Sequence, residues 1–308
     1  QILSTQNKLY CYGSVKCIFF LVYLIMVFEK DKKYLCLLAP SFVSEFDYPN
    51  IVYRLRMLGF EKVLELTFGA KMVNLTYYSV LKESLDKGEK KTWISSPCPT
   101  LVNLIRLKYP HLVENLIPVH SPMGSMGLIC KRFYPDYTIV FIGPCLTKKT
   151  EATELGTVDE VLTFKELEQL FTENNIPEVV EDSRYCVSFD KFYNDYTKIY
   201  PISGGLSTTL NYRNLLKKRD ILVKEGSENL AKIFDGFKDG MYKKYKFLDL
   251  LTCEGGCING PGMIGNRSVR ERTKRVLKYR NYAWQYEKDL GKSGQKVDAK
   301  DLDFKRKF

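Results

Sequence analysis

From Tyr34 onward, short apolar runs alternate with stretches of helical spacing, the order that a parallel α/β sheet requires. YLCLLAP (34–40) reads as a buried strand, NIVYRLRML (50–58) as a helix and KVLELTF (62–68) as a second strand. A helix is predicted over 71–86. TWISS (92–96) reads as a strand running into PCPTLVNLIRL, a helix with prolines at its start. TIVFIG (138–143) runs into PCLTKKTEA in the same order: apolar strand, Pro-Cys, helix. VDEVLTFKELEQLF (158–171) reads as a strand and then a Thr-led helix, and KFLDLLT (246–252) as a strand opening into a Gly-rich loop. RSVRERTKRVLKYRNYAWQYEK (267–288) is the longest helical stretch, amphipathic and basic.

This pattern predicts an α/β fold with two lobes of mainly parallel sheets flanked by helices. Residues 1–33 form an irregular leader, 34–134 a first lobe, 135–288 a second lobe, and 289–308 a basic tail that reads as a linker or docking segment. In the leader, CIFFLVYLIMVF (17–28) is too short for a typical membrane span. It suits a signal h-region or a buried strand, but EKDKKY follows it rather than a small-residue cleavage site. No stable membrane insertion is expected.

The 308 residues carry a net charge of +11. Lys and Arg are spread along the chain, with no long basic block except near the C-terminus. The charge therefore reads mostly as solvated helix faces; an acidic protein partner fits it better than nucleic acid, which is not expected. The only two histidines, His111 and His120, leave no material for a His-rich zinc or di-iron site and make a Ser-His-Asp triad improbable. The nine cysteines are odd in number and unevenly spaced, which argues against a disulfide framework and for a reducing, cytoplasmic setting.

Cys17, Cys36, Cys130 and Cys186 lie in or beside apolar runs and read as small buried hydrophobes. Cys11 sits in the leader. Cys98, Cys145, Cys253 and Cys257 differ: each is a loop residue flanked by Pro or Gly near the carboxyl end of a predicted strand. Ligands of open α/β sheets bind in the crevice outside those ends. Four thiolates from separate directions suit a cubane iron–sulfur cluster in a cleft between the lobes. Helix N-termini after Cys98 and Cys145 would supply partial positive charge and N–H donors. Gly255, Gly256, Gly260 and Gly262 would let the backbone approach a bulky inorganic group. On residue chemistry alone, a zinc site from the same thiolates, or a Gly-rich turn with incidental cysteines, stays open.

Three stretches together resemble the signature loops of the [FeFe]-hydrogenase catalytic domain, the region that holds the H-cluster: ISSPCP (94–99), FIGPCLTKKTEA (141–152) and LLTCEGGCINGPG (250–262). LAPSFVSEF (38–46), FGA (68–70), SPMGSMG (121–127) and SGGL (203–206) add matches in family order, over roughly 35–285. The spelling is most similar to the sensory or regulatory bacterial branch. The resemblance implies that Cys98, Cys145, Cys253 and Cys257 ligate a [4Fe–4S] cluster. It implies that Cys257 also bridges to a two-iron subcluster whose CO and CN ligands are installed by maturases. By the same resemblance Lys148 hydrogen-bonds a cyanide, Pro40 and Ser41 wall the two-iron pocket, and Glu151 is a structural glutamate. Met123, Gly255 and Gly256 fall among the cofactor-binding positions.

The sequence also departs from that family. Pro97 stands where turnover enzymes carry a proton-delivering cysteine, and NLTYY (74–78) where they carry paired glutamates. Gly143 replaces a methionine, and Leu251-Thr252 replaces Met-Ala. No ferredoxin-like Cys run precedes the domain, and the leader reads as a remnant of one. These departures point to a hydrogen or redox sensor, or a slow hydrogenase. The alternatives are a non-enzymatic protein that holds only the cubane, for cluster assembly or electron transfer, and a zinc-stapled binding module. An electron-transfer or signalling protein would have to dock close to the site.

Overall fold

Near-continuous apolar strands form where both faces of a sheet are covered, and β1 (Lys33–Leu38) and β4 (Tyr137–Gly143) are of this kind. The computed structural model describes residues 28–308 apart from 30, 180–187, 191, 193–195, 212–213, 238, 290–298 and 300. Residues 1–27 of the leader, with most of the apolar run 17–28, lie outside the described residues, as do Cys11, Cys17 and Cys186. Among the described residues no helix is long and apolar enough to cross a membrane.

β1 and β4 are the centre of a four-stranded parallel sheet in the order β2-β1-β4-β5, with β2 at Lys62–Glu65 and β5 at Glu160–Thr163. Leu38 lies opposite both Glu65 and Ile142, so these strands end together. A second parallel sheet has the order β3-β7-β6, from Trp93–Ile94, Phe247–Leu251 and Ile221–Glu225. The helices are α1 (Asn50–Leu58), α2 (Thr67–Asp86), α3 (Pro99–Lys108), α4 (Pro122–Phe133), α5 (Thr147–Leu155), α6 (Phe164–Glu173), α7 (Gly205–Leu210), α8 (Ser227–Asp235) and α9 (Val269–Asp289).

The expected α/β class with parallel sheets and flanking helices is therefore what the chain adopts. The sheets do not follow a division at residue 134, however. The first takes strands from 33–65 and 137–163, and the second from 93–94 and 221–251, so both interleave along the chain. Long crossovers cause this: after α2 the chain leaves the first sheet to lay down β3, returns for β4 and β5, and leaves again for β6 and β7.

β7 carries the alternation that separates two cores. Leu248 and Leu250 face Leu101, Ile105 and Phe234, whereas Phe247 packs with Tyr77, Leu81 and Leu206. Two contacts then fix what surrounds the strand ends. Gly69 of the FGA motif lets α2 close on α4, since a Cβ there would sit 2.6 Å from the Pro122 carbonyl oxygen. The basic helix α9 is less solvated than its charge suggested. Buried Arg272 pairs with Glu45 at 2.9 Å, and Arg275 donates to the Val43 carbonyl at 2.6 Å. These arginines clamp the one-turn helix Pro40–Ser44 that follows β1.

Of the expected tail, residues 301–308 dock on this same chain. Lys305 bridges Val119 in antiparallel fashion, the His120 N–H donates to the Phe304 carbonyl (2.9 Å), and the Arg306 N–H donates to the Pro118 carbonyl (3.0 Å). The side chains of Phe304 and Arg306 are buried.

Candidate metal centre

The carboxyl ends of β1, β3, β4 and β7 open onto one cleft. Its walls include Pro40 and Ser41 after β1, Pro97 after β3, Cys145 after β4, and Leu251 and Cys257 at and after β7. Met123 at the start of α4 and Lys148 on α5 also line it. Strand ends from two sheets thus meet at a single crevice, as the repeated Pro-Cys pattern predicts.

The three cysteine-bearing loops are stitched to each other pairwise. Cys98 Sγ lies 3.4 Å from the Thr252 hydroxyl, and the Leu250 N–H donates to Ser95 Oγ at 2.9 Å, which joins the first and third loops. The Thr100 and Thr147 hydroxyls lie 2.8 Å apart at the starts of α3 and α5, which joins the first and second. The Gly262 N–H donates to the Pro144 carbonyl at 2.9 Å and closes the set.

Electrostatics show that the four thiols share one neighbourhood. Burial pushes the Cys253 thiol up to about 11, with further upward contributions from Cys98 and Cys145. Burial raises Cys257 more strongly, and Cys98, Cys145 and Cys253 all add to it while Lys148 opposes it. Cys145 is raised by burial and lowered by Lys148 and by the Lys148 and Thr147 backbone N–H groups at the start of α5. Thiols crowded together in this way would repel one another once deprotonated, and a shared cation centre would neutralise that charge. The four are partly exposed, whereas Cys36 and Cys130 are fully buried, as expected of small hydrophobes.

Among the described residues no group of three or more His, Cys, Asp or Glu side chains is drawn together at single-ion spacing. A tetrahedral zinc would hold its sulfurs within about 4 Å of each other, given Zn–S bonds near 2.3 Å. A cubane takes its thiolates at separate corners and needs them further apart. Four thiolates brought to one neighbourhood by three loops are a donor set that either group can use.

The remaining expected residues fall in two tiers around the cleft. Ser41 is fully buried and its hydroxyl has no partner, an orphaned donor at the cleft wall. Lys148 Nζ donates to Glu151 Oε2 at 2.5 Å and to the Pro97 carbonyl at 3.3 Å, leaving an ammonium proton for the cleft. Glu151 lies behind it, buried, and also accepts from Ser121 Oγ at 3.2 Å. Gly255 and Gly256 take φ of +79° and +87°, which favours glycine. Their missing side chains make room for protein rather than for a cluster: a Cβ would meet Val269 at 2.5 Å and the Pro201 carbonyl oxygen at 2.6 Å.

Three residues of the site escaped the sequence reading. Asp249, in the middle of β7, lines the cleft and accepts from the Ser207 N–H at 2.9 Å; burial raises its carboxyl. A lone carboxylate inside the buried run FLDLL was the available signal. Tyr200 lines the cleft with its hydroxyl unpartnered, and burial raises its phenol well above the usual range. No sequence pattern marked it. Arg306 reaches Glu151 from the tail, a contact across 155 residues that no local motif announces.

Residues 32–261 match the family described as iron only hydrogenase large subunit, C-terminal domain. The chain belongs to this family. Two kinds of curated relative of this hydrogenase-domain protein stand beside it. Iron hydrogenase 1 of Clostridium pasteurianum is 27% identical over 69% of this chain and 45% of its own length. A probable cytosolic Fe-S cluster assembly factor of Drosophila melanogaster is 24% identical over 72% of this chain and 58% of its own. The chain spans about half the length of the curated relatives it matches. A variant of the [FeFe]-hydrogenase HydA1 from Chlamydomonas reinhardtii superposes with a TM-score of 0.63 at 18% identity, covering 80% of this chain and 85% of that one. That likeness is one of fold. It agrees with parallel sheets flanked by helices.

Proposed function

We propose that this member of the hydrogenase family holds a [4Fe–4S] cluster on Cys98, Cys145, Cys253 and Cys257, with the adjoining cleft taking a two-iron subcluster that bears CO and CN. The observation that carries the reading is the cleft itself. Largely apolar, it touches Cys145 and Cys257 and presents an orphaned Ser41 hydroxyl and the Lys148 ammonium. When bound, the two-iron group would supply the redox chemistry of hydrogen. The chain's own side chains do the rest. Lys148 and Ser41 donate hydrogen bonds to anionic ligands, and charge-assisted bonds of this kind are the strong ones. Met123, Phe141, Leu206 and Leu251 keep water out. Cys257 lines the cleft, and the other three thiols all raise its own.

Pro97 lines the cleft and carries no proton, and Tyr77, within NLTYY, uses its hydroxyl to hold Ser96 at 2.7 Å. A relay short of positioned acids turns over slowly, by about 10²–10⁴-fold for each missing group. We therefore assign a hydrogen or redox sensor, or a slow hydrogenase, acting through an electron-transfer or signalling protein that docks near the site. A second reading, a protein that holds only the cubane, is favoured by the same Pro97 and by the assembly-factor relatives. Anaerobic expression with the maturases, followed by infrared spectroscopy and a hydrogen–deuterium exchange assay, separates the two. Bands of iron-bound CO and CN with slow exchange support the first. An iron-loaded protein without those bands establishes the second.

A further inference from the structure

Glu151 is almost fully buried and is shared by two cations. Its Oε2 accepts from Lys148 Nζ at 2.5 Å, and its Oε1 accepts from Arg306 Nη1 at 3.1 Å. The other terminal nitrogen of Arg306 lies 2.8 Å from Glu154 Oε1, and Glu154 also pairs with Arg106 at 2.9 Å. Three cations therefore face two carboxylates, and one positive charge is left over. His120 adds none to speak of: its Nδ1 has no partner, and burial and Arg306 both lower its basicity. Of the three cations only Lys148 lines the cleft, and its charge is felt by the Cys145 and Cys257 thiols, which it lowers.

Building on the metal-centre reading above, we infer that Arg306 is a positioning residue for this site. By taking half of the Glu151 carboxylate it leaves Lys148 a positive charge for an anionic occupant of the cleft. The docked segment 301–308 exists to deliver that guanidinium. Phe304 enters the main core, and Phe308 packs against the α3 core and lies 4.9 Å from the Arg306 guanidinium. Burying an arginine is costly unless it is paired, so the carboxylates and the segment hold each other in place. Without Arg306 the full Glu151 charge falls on Lys148, and the sulfur quartet sees a less positive neighbourhood.

The test uses the whole chain, expressed with iron but without maturases, and reads the midpoint potential of the cubane by potentiometric titration with electron paramagnetic resonance. Arg306→Gln lowers the potential, because the reduced, more negative cluster loses stabilisation; Arg306→Lys restores it in large part. Glu151→Gln moves it the opposite way, upward, which a mere loosening of the fold would not do, and this variant decides the matter if Arg306→Gln fails to fold. Lys307→Gln removes the same charge from an exposed neighbour on the same segment and leaves the potential unchanged. Equal potentials in the wild type, Arg306→Gln and Glu151→Gln overturn the role of Arg306 alone. So does a Lys307→Gln shift as large as that of Arg306→Gln. A chain that takes up no iron overturns the metal-centre reading itself, and this inference with it.

Discussion

Pro97 borders the cleft at a place where a cysteine would carry a transferable proton, and its own carbonyl is engaged by Lys148. Pro97→Cys is expected to speed hydrogen–deuterium exchange of matured protein by about 10²-fold, the lower end of what a positioned acid contributes. An unchanged rate would mean that proton delivery follows another path, for which Asp249 and Tyr200 are the groups at the cleft wall. The cysteines divide by the same logic of surroundings. Cys257→Ser should strip the cluster, whereas Cys130→Ala should leave iron content unchanged and only weaken the core; iron assay of the two purified variants checks this. The thiols also predict a pH dependence for the iron-free protein. Cys253 rises from the ordinary 9.0 to about 11 in the fold, so its stabilising contribution is complete below pH 9.0 and is lost as pH climbs through 11. Urea midpoints of the iron-free protein should fall over that window, and the fall should shrink in Cys253→Ser.

Among the elements, α9 acts as a clamp on the turn that presents Pro40 and Ser41. Arg272 and Glu45 are both buried within it, and removing one member of such a pair typically costs about 3–5 kcal/mol. Arg272→Met should therefore lower stability by an amount of this order in urea unfolding, and reduce iron retention with it. Arg267 also pairs with Glu45, at 3.0 Å, and should hold the loss to the lower end of that range. Which elements were legible in the sequence follows from their burial. β1, β4 and β7 are buried along most of their length and read as apolar runs, interrupted in β7 by Asp249. β6 (ILVKE) is an edge strand, half exposed along its length, and its mixed pattern gave no strand signal. α4 begins Pro-Met-Gly-Ser-Met-Gly, poor helix material read only as a motif. It forms because Ser121 caps it and because Gly127 packs directly on the Thr157 carbonyl.

For the whole molecule, two sheets woven from alternating parts of the chain bring together loops separated by more than 150 residues, as the Cys98–Thr252 contact shows. The convergence of the three Pro- and Gly-flanked cysteine loops was readable because each follows a strand, and strand ends share a crevice in this architecture. Of what surrounds them, Pro40, Ser41, Met123, Lys148 and Glu151 were legible only through the family resemblance. The Arg306–Glu151–Lys148 chain, Tyr200 and the interleaved sheets depend on long-range packing that leaves no local period. The central claim is that four distant thiols share one cubane beside the cleft. Its most direct test is iron and acid-labile sulfide analysis, with electron paramagnetic resonance of the reduced protein, on the anaerobically purified chain. The account predicts one [4Fe–4S] cluster per chain, lost in each of Cys98→Ser, Cys145→Ser, Cys253→Ser and Cys257→Ser. Zinc in place of iron, or a cluster that survives all four substitutions, would contradict it.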